Sequence, residues 1–350
     1  MGEPIRFAFL VYLGRSGSTL LARQLDSISR DLLVTPELNF IVTAALAGDA
    51  AIRALSPAEL VRFVRRDLQI ANLDLPIAEL DACVRACAGQ GVRALAECLV
   101  RAHADRRGRS PSVVVVKKSV AHLGADPLLE VFPEAVFVHI RRDGRAVVNS
   151  LIHTESVYDP GHLLGRGDPV HAAKLWVRQL RSIEDVGRRH PGRVLEVEYE
   201  SLLRSPGTVL ESLRADLAAR IGVELRDARS ESGFVVPERE RTLHRLVSQA
   251  PVEERADRWR DELGRANGIA VEAIQRDWLR RCGYTEHFLA GKSAAAIARV
   301  RAQLYARHLG LTSRHLLWRG ATLLRLLFSD PGLAVARTRE AIFQRYGAPR

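Results

Sequence analysis

The chain is poor in the residues that build metal sites, covalent staples and membrane spans. Its 350 residues hold 4 cysteines and 1 methionine, and aromatic side chains make up only 6%. Cys83, Cys87 and Cys98 fall in one helical stretch, and Cys282 stands far from them. Cys83 and Cys87 share a helix face, but no C-x-x-C pair and no histidine pattern accompanies them, so the spacing argues against a zinc site or a disulfide framework. The thiols read as small buried residues of a reducing compartment. No apolar run reaches the length of a membrane span. The first one, Phe7 to Leu13, opens directly into a glycine-rich turn and reads as a strand rather than a signal peptide. Arg6 stands where myristoylation favours a hydroxyl, and a cytoplasmic protein is expected. Acids are also in deficit: 52 Lys and Arg against 41 Asp and Glu leave a net charge of +11. That balance suits a polyanionic ligand or an acidic surface. It would suit nucleic acid equally, but no zinc finger, ribonucleoprotein motif or aromatic-interleaved basic strip is present, and nucleic acid is not expected as a partner. Apolar content of 47% is enough for one large ordered domain with additions.

Phosphate-binding chemistry stands out from this background. Gly14-Arg15-Ser16-Gly17-Ser18-Thr19 follows the apolar run and precedes Leu20-Leu21-Ala22, which is the order strand, tight turn, helix. Such a turn aims backbone N–H groups and a helix dipole at one point, a ready anion site. Gly14 and Gly17 allow close backbone approach, Arg15 adds a fork of donors, and Ser18 and Thr19 add hydroxyls. A Walker A loop would need a lysine that is missing here. The ordinary alternative is a glycine-rich strand-to-helix connection. A second segment has the same character. Val136 to Ile140 reads as a buried strand running into Arg141-Arg142-Asp143-Gly144-Arg145, with Ser150 about two turns into the next helix. An arginine at a strand's carboxyl end and a hydroxyl on the adjoining helix can hold a second phosphate, where open α/β sheets place their ligands. A surface Arg-Asp turn is the plain alternative.

The pair G-R-S-G-S-T-L and R-D-G-R-A-V-V-N-S resembles the two signatures of sulfotransferases that use 3′-phosphoadenosine 5′-phosphosulfate (PAPS). The form is most similar to the tyrosylprotein and carbohydrate sulfotransferase branch. The resemblance implies that Arg15, Ser16, Gly17, Ser18 and Thr19, with Gly14, bind the 5′ end of the donor. It implies that Arg142 and Ser150 bind the 3′-phosphate. It covers residues 7 to 200, with a weaker match to about 285.

Sulfuryl transfer is an in-line displacement that needs a base for the acceptor hydroxyl and cations on the leaving phosphate. Glu37 follows a candidate second strand at a spacing from Arg15 similar to that of the family's base, and is the expected catalytic base. An ordinary acid at a helix start after Pro36 is the alternative. Val113 to Val116 reads as a central strand ending in Lys117-Lys118-Ser119. The family pattern points to Lys118 as the cation beside Arg15, but the proline that should follow the small polar residue is absent, which leaves Lys117 open. Val194 to Leu203 resembles the family's strand-then-Y-E-x-L element, making Tyr199 a nucleotide contact unless it is plain core. No metal is required, and the acceptor would be a hydroxyl of a peptide, sugar or small metabolite. A P-loop-type kinase or NTPase is a weaker reading, since the Walker lysine and an evident magnesium-binding acid are missing. A non-catalytic nucleotide- or membrane-surface-binding protein is another.

The expected fold is α/β: a P-loop-like three-layer arrangement around a central, mainly parallel sheet, spanning residues 1–288. A helical insertion occupies about 40–108, where Ser56-Pro57-Ala58-Glu59 is a capping signal. Asp159-Pro160-Gly161 and Gly165 to Pro169 bracket an expected lid or acceptor-binding loop. Residues 289–350 form a basic helical extension, read as two amphipathic helices, Ala294 to Leu309 and Leu316 to Leu327. Packing on the core or homodimerisation is the expectation there, with membrane-surface contact as the alternative.

Overall fold

The computed structural model describes residues 4–67, 69–119, 121–155, 163–226, 233–236 and 254–329. In chain order it runs β1 (Arg6–Tyr12), α1 (Ser18–Asp26), β2 (Leu32–Glu37), α2 (Phe40–Ala47), α3 (Asp49–Arg53), α4 (Pro57–Arg65), α5 (Ile77–Ala86) and α6 (Val92–Asp105). There follow β3 (Val113–Lys117), α7 (Ala125–Val131), β4 (Val136–Arg141), α8 (Gly144–His153), α9 (Pro169–Arg189), β5 (Val194–Glu198), α10 (Tyr199–Arg204) and α11 (Pro206–Ile221). Short α12 (Glu254–Asp257) and α13 (Trp259–Glu262) lead to α14 (Arg265–Arg281) and the long α15 (Ala294–Ser329).

The five strands pair in the order β2-β3-β1-β4-β5, and every pairing is parallel. Residue alternation along the strands builds the layers. Phe7, Phe9 and Val11 of β1 pack with Val114, Val116 and Phe137 against the insertion helices, α7 and one face of α9. Ala8, Leu10 and Tyr12 face the other way, onto Leu21 and Leu25 of α1 and Leu213 and Leu217 of α11. Period-two side-chain direction thus makes the sheet the middle of three layers. Each fully buried phenylalanine or leucine removes enough apolar surface from water to contribute about 1.5–3 kcal/mol. A further apolar cluster joins α8, α9 and α14 through Val147, Trp176 and Val271.

The insertion helices occupy the expected stretch, and Ser56 caps α4 in a reciprocal box with Glu59. Two readings are corrected. Cys83 and Cys98 stand on separate helices, α5 and α6, with Cys87 closing α5. Leu309 and Leu316 lie within one continuous helix of 36 residues, α15, rather than on two. Gly310 and Gly320 do not break it, since isolated glycines cost a helix only about 1 kcal/mol each. Asp159-Pro160-Gly161, Val120 and the chain from 330 to 350 lie outside the described residues. The far flank of the expected loop is anchored: Gly165 N–H donates to Leu151 O at 2.8 Å, and Asp168 caps α9 through the Val170 and His171 N–H groups.

Candidate functional site

The strand order brings the carboxyl ends of β1, β3 and β4 side by side, with the first turns of α1 and α8 above them. Gly14 to Gly17 links β1 to α1, and Arg15 and Gly17 both take positive φ, 73° and 89°. The N-cap of α1 is Gly17, which has no side chain to cap the first turn of the helix. Gly17 is held to glycine twice over, because a Cβ there would meet Tyr199 Cδ2 at 2.3 Å.

The two phosphate-type motifs meet. Arg15 Nε donates to Ser150 Oγ at 2.9 Å, and Arg142 Nη1 donates to the Arg15 carbonyl at 3.0 Å. Arg142 also lies over the Tyr199 ring, 4.4 Å from its centroid. Trp176 Nε1 donates to the Arg142 carbonyl at 3.1 Å and fixes the backbone beneath it. Burial, and then the like charge of Arg142, push the Arg15 guanidinium below its ordinary value. Two arginines and a ring thus converge on one spot where a negative charge would relieve both cations. Arg142 Nε is buried and has no partner among the described residues, a donor aimed at something that accepts.

On the other side of β1 lies the carboxylate. Pro36 sits in the edge strand β2, where its missing N–H does no harm, and the β2–β3 register shifts between Val34 and Glu37. That irregularity leaves Glu37 opposite Lys117. Tyr12 OH donates to Glu37 Oε2 at 3.0 Å, Ser119 Oγ to Oε1 at 3.4 Å, and Lys118 Nζ lies 3.6 Å from Oε1. Asn72 Nδ2 donates to the Glu37 carbonyl at 3.2 Å. Burial pushes the Glu37 carboxyl up, but Lys118, Lys117, the Tyr12 hydroxyl and Gln69 outweigh it and hold the group below the usual carboxylate range.

The two lysines part ways, as neighbours at a strand end must. Lys117 Nζ reaches Thr19 Oγ1 of the glycine loop at 3.4 Å and lies over the Tyr12 ring, while Lys118 pairs with Glu37. They are 3% and 6% exposed, so both cations are held largely away from water. The sequence places Tyr12 only within the apolar run of the first strand and does not single out Asn72 or Gln69. A tyrosine ending an otherwise Phe, Ala, Leu and Val strand was the available signal for the first.

A buried polar network ties this site to the C-terminal helices. Asp143 caps α8 through Arg145 N–H and holds the Arg145 guanidinium, which also pairs with Glu272 and donates to the Thr285 carbonyl. Glu272 in turn accepts the N–H groups of His287, Phe288 and Leu289. Trp259 stacks on Arg145, which places the segment before α14 behind the second motif. Gly144 lets Gln275 and Trp176 approach the start of α8, since a Cβ there would meet Gln275 Oε1 at 2.5 Å and Trp176 Cδ2 at 2.7 Å.

A parallel sheet with a glycine loop opening a helix, flanked by converging arginines and lysines, defines a phosphate-loop α/β architecture. The model of the Sulfotransferase family matches residues 8–222, and the chain belongs to that family. It is thus a sulfotransferase-type enzyme, with sulfuryl transfer as its general chemistry. The fold is similar to that of the sulfotransferase domain from the curacin biosynthetic pathway, with a TM-score of 0.52 at 14% identity over 82% of this chain and 100% of that one. The sulfotransferase domain of the Synechococcus PCC 7002 olefin synthase matches with a TM-score of 0.49 at 22% identity, over 81% of this chain and 95% of that one. Mouse sulfotransferase SULT7A1 complexed with PAP matches with a TM-score of 0.39 at 12% identity, over 79% of this chain and 87% of that one. No curated protein matches the chain.

Proposed function

We propose that the protein transfers the sulfuryl group of PAPS to an acceptor hydroxyl, with Glu37 as base. The observation that carries this reading is the placing of Glu37 within one cluster with Lys118, Lys117 and the Thr19 end of the glycine loop. Family membership supplies the sulfuryl chemistry, and the residues supply the roles. The glycine loop from Gly14 to Thr19, with Ser16 and Ser18, takes the 5′-phosphosulfate. Arg142 and Ser150 take the 3′-phosphate, and Tyr199 packs against the nucleotide. The orphaned Arg142 Nε fits such an anion.

In the reaction the acceptor oxygen attacks sulfur and the bond from sulfur to the bridging phosphate oxygen breaks. The acceptor proton passes to Glu37, and the leaving phosphate keeps the electron pair, stabilised by Lys118 and Arg15. Lys117, beside Thr19, adds charge on the donor side. Glu37 is ionised at neutral pH, as a base must be. Its low proton affinity in the free enzyme rises when donor charge draws Lys118 away from it. The R-S-G-S-T loop and the position of Glu37 favour the tyrosylprotein and carbohydrate branch, with a peptide, sugar or small-metabolite hydroxyl as acceptor.

Radiolabelled PAPS incubated with a panel of hydroxyl acceptors tests the proposal. Label transfer that falls at least a hundredfold in Glu37→Gln, with nucleotide affinity kept, is expected on the usual worth of a general base, about 10²–10⁴-fold. Undiminished transfer by Glu37→Gln would remove the base assignment.

A further inference from the structure

The mechanism uses none of the cysteines, yet three of them meet. Cys83 lies in α5, Cys87 closes that helix about one turn later, and Cys98 lies in α6. Two of the thiols reach the backbone of the opposite helix. Cys98 Sγ donates to the Cys83 carbonyl at 3.6 Å, and Cys87 Sγ donates to the Ala94 carbonyl at 3.6 Å. Cys83 stands four residues before Cys87, and Ala94 four before Cys98. Each carbonyl therefore lies beneath the other cysteine on the same helix face. This reciprocal crossing brings the sulfurs together, and the Cys98 thiol makes hydrogen-bond contacts with those of Cys87 and Cys83. Sequence spacing offered no such pairing, because it is made by the packing of α6 on α5.

The surroundings divide the roles. The hydrogen bond from Cys98 holds the Cys87 thiol below its ordinary value, against the opposing effect of burial. Burial, and then the contact with Cys98, pushes Cys83 up to about 12. The contact with Cys87, and then burial, raises Cys98 as well. Cys87 is thus the first of the three to ionise, with a neutral thiol beside it. It is only 5% exposed, whereas Cys83 and Cys98 are partly open, so a small oxidant reaches the cluster more readily than a bulky one. The helix pair also supports the proposed base. His103 of α6 has Nδ1 2.7 Å from the Leu73 carbonyl, and neighbouring Asn72 donates to the Glu37 carbonyl at 3.2 Å.

We infer that Cys87 and Cys98 form a reversible disulfide when a hydroperoxide reaches this cluster. The Cys87 thiolate attacks a peroxide oxygen, the O–O bond breaks, and a sulfenic acid and hydroxide result. The Cys98 thiol then attacks that sulfur, the S–S bond forms, and the sulfenic oxygen leaves as water with the Cys98 proton. The proton that Cys87 gave up on ionising neutralises the hydroxide. Two thiols lose two electrons, and hydrogen peroxide becomes two waters. Cys83 stays a thiol. The inference does not rest on the sulfuryl-transfer reading and survives its failure.

Treatment of the reduced full chain with hydrogen peroxide, followed by thiol counting and tryptic mapping without reductant, tests it. Cleavage after Arg85 and Arg93 puts Cys83, Cys87 and Cys98 on three separate peptides. Loss of two of the four thiols is expected, with the Cys87 and Cys98 peptides joined until dithiothreitol separates them. Cys98→Ser should leave Cys87 as a sulfenic acid that dimedone traps. Circular dichroism of the oxidised parent should match the reduced form, as a link made in the folded chain requires. A link from Cys83 to Cys98, or oxidation of single thiols without any link, overturns the inference. So does a link that forms only after urea has unfolded the protein.

Discussion

Arg15 Nε and Ser150 Oγ share a hydrogen bond of 2.9 Å across 135 positions of chain. That contact fastens the glycine loop after β1 to the helix after β4, so the two sequence motifs form one surface. Parallel neighbours β1 and β4 hold the two ends in register, Tyr12 opposite Ile140.

Arg142→Ala should weaken adenosine 3′,5′-bisphosphate by about 10- to 150-fold, the range for a lost charged hydrogen bond. Binding of adenosine 5′-monophosphate should change little, because it lacks the phosphate that Arg142 is proposed to hold. Ser150→Ala should cost less, about tenfold or under, with a neutral hydroxyl removed. Titration of the two nucleotides against each variant reads the difference.

Gly17→Ala should destabilise the fold by about 1–3 kcal/mol, through positive φ and collision with Tyr199. In a Tyr199→Ala background the collision disappears and only the φ cost remains. Urea unfolding of the four-member cycle should therefore show coupling between the two positions. Additive losses would mean that the ring yields freely.

Lys117 and Lys118 should separate by phenotype. Lys118 is the strongest charge lowering the Glu37 proton affinity, ahead of Lys117. The parent's kcat/KM should hold down to pH values below the usual carboxylate range, where the ionised base becomes protonated and activity falls. Lys118→Met removes the lowering charge, so its acid limb should move to higher pH. Lys117→Met, which loses the contact with Thr19, should mainly weaken nucleotide binding and move the limb less.

Arg145→Ala should be among the more damaging single substitutions. It leaves Asp143 and Glu272 buried without their common cation, a loss of about 3–5 kcal/mol. Thermal unfolding should fall steeply, and an Arg145→Met variant should fare no better, because volume is kept while charge is not.

The local parts of this site were legible in the chain. Gly14 to Thr19, Arg142 and Ser150 stand out because a glycine turn between strand and helix and a strand-end arginine are made from consecutive residues. The valine run of β3 and the alternating faces of β1 were readable for the same reason. What joins Tyr12, Asn72 and Ser119 around Glu37 was not, since it depends on β3 lying between β2 and β1. Strand order is set by tertiary packing. The pairing of Arg145 with Glu272 spans 127 positions and carries no local mark. Ala294 to Leu309 and Leu316 to Leu327, read as two amphipathic helices, lie on one continuous helix, α15.

Calorimetric titration with adenosine 3′,5′-bisphosphate, against ATP without added magnesium, tests the central claim most directly. The account predicts tight binding of the bisphosphate, weak binding of ATP, and loss of that preference in Arg142→Ala. Equal affinity for the two nucleotides, or a preference untouched by Arg142→Ala, would contradict it.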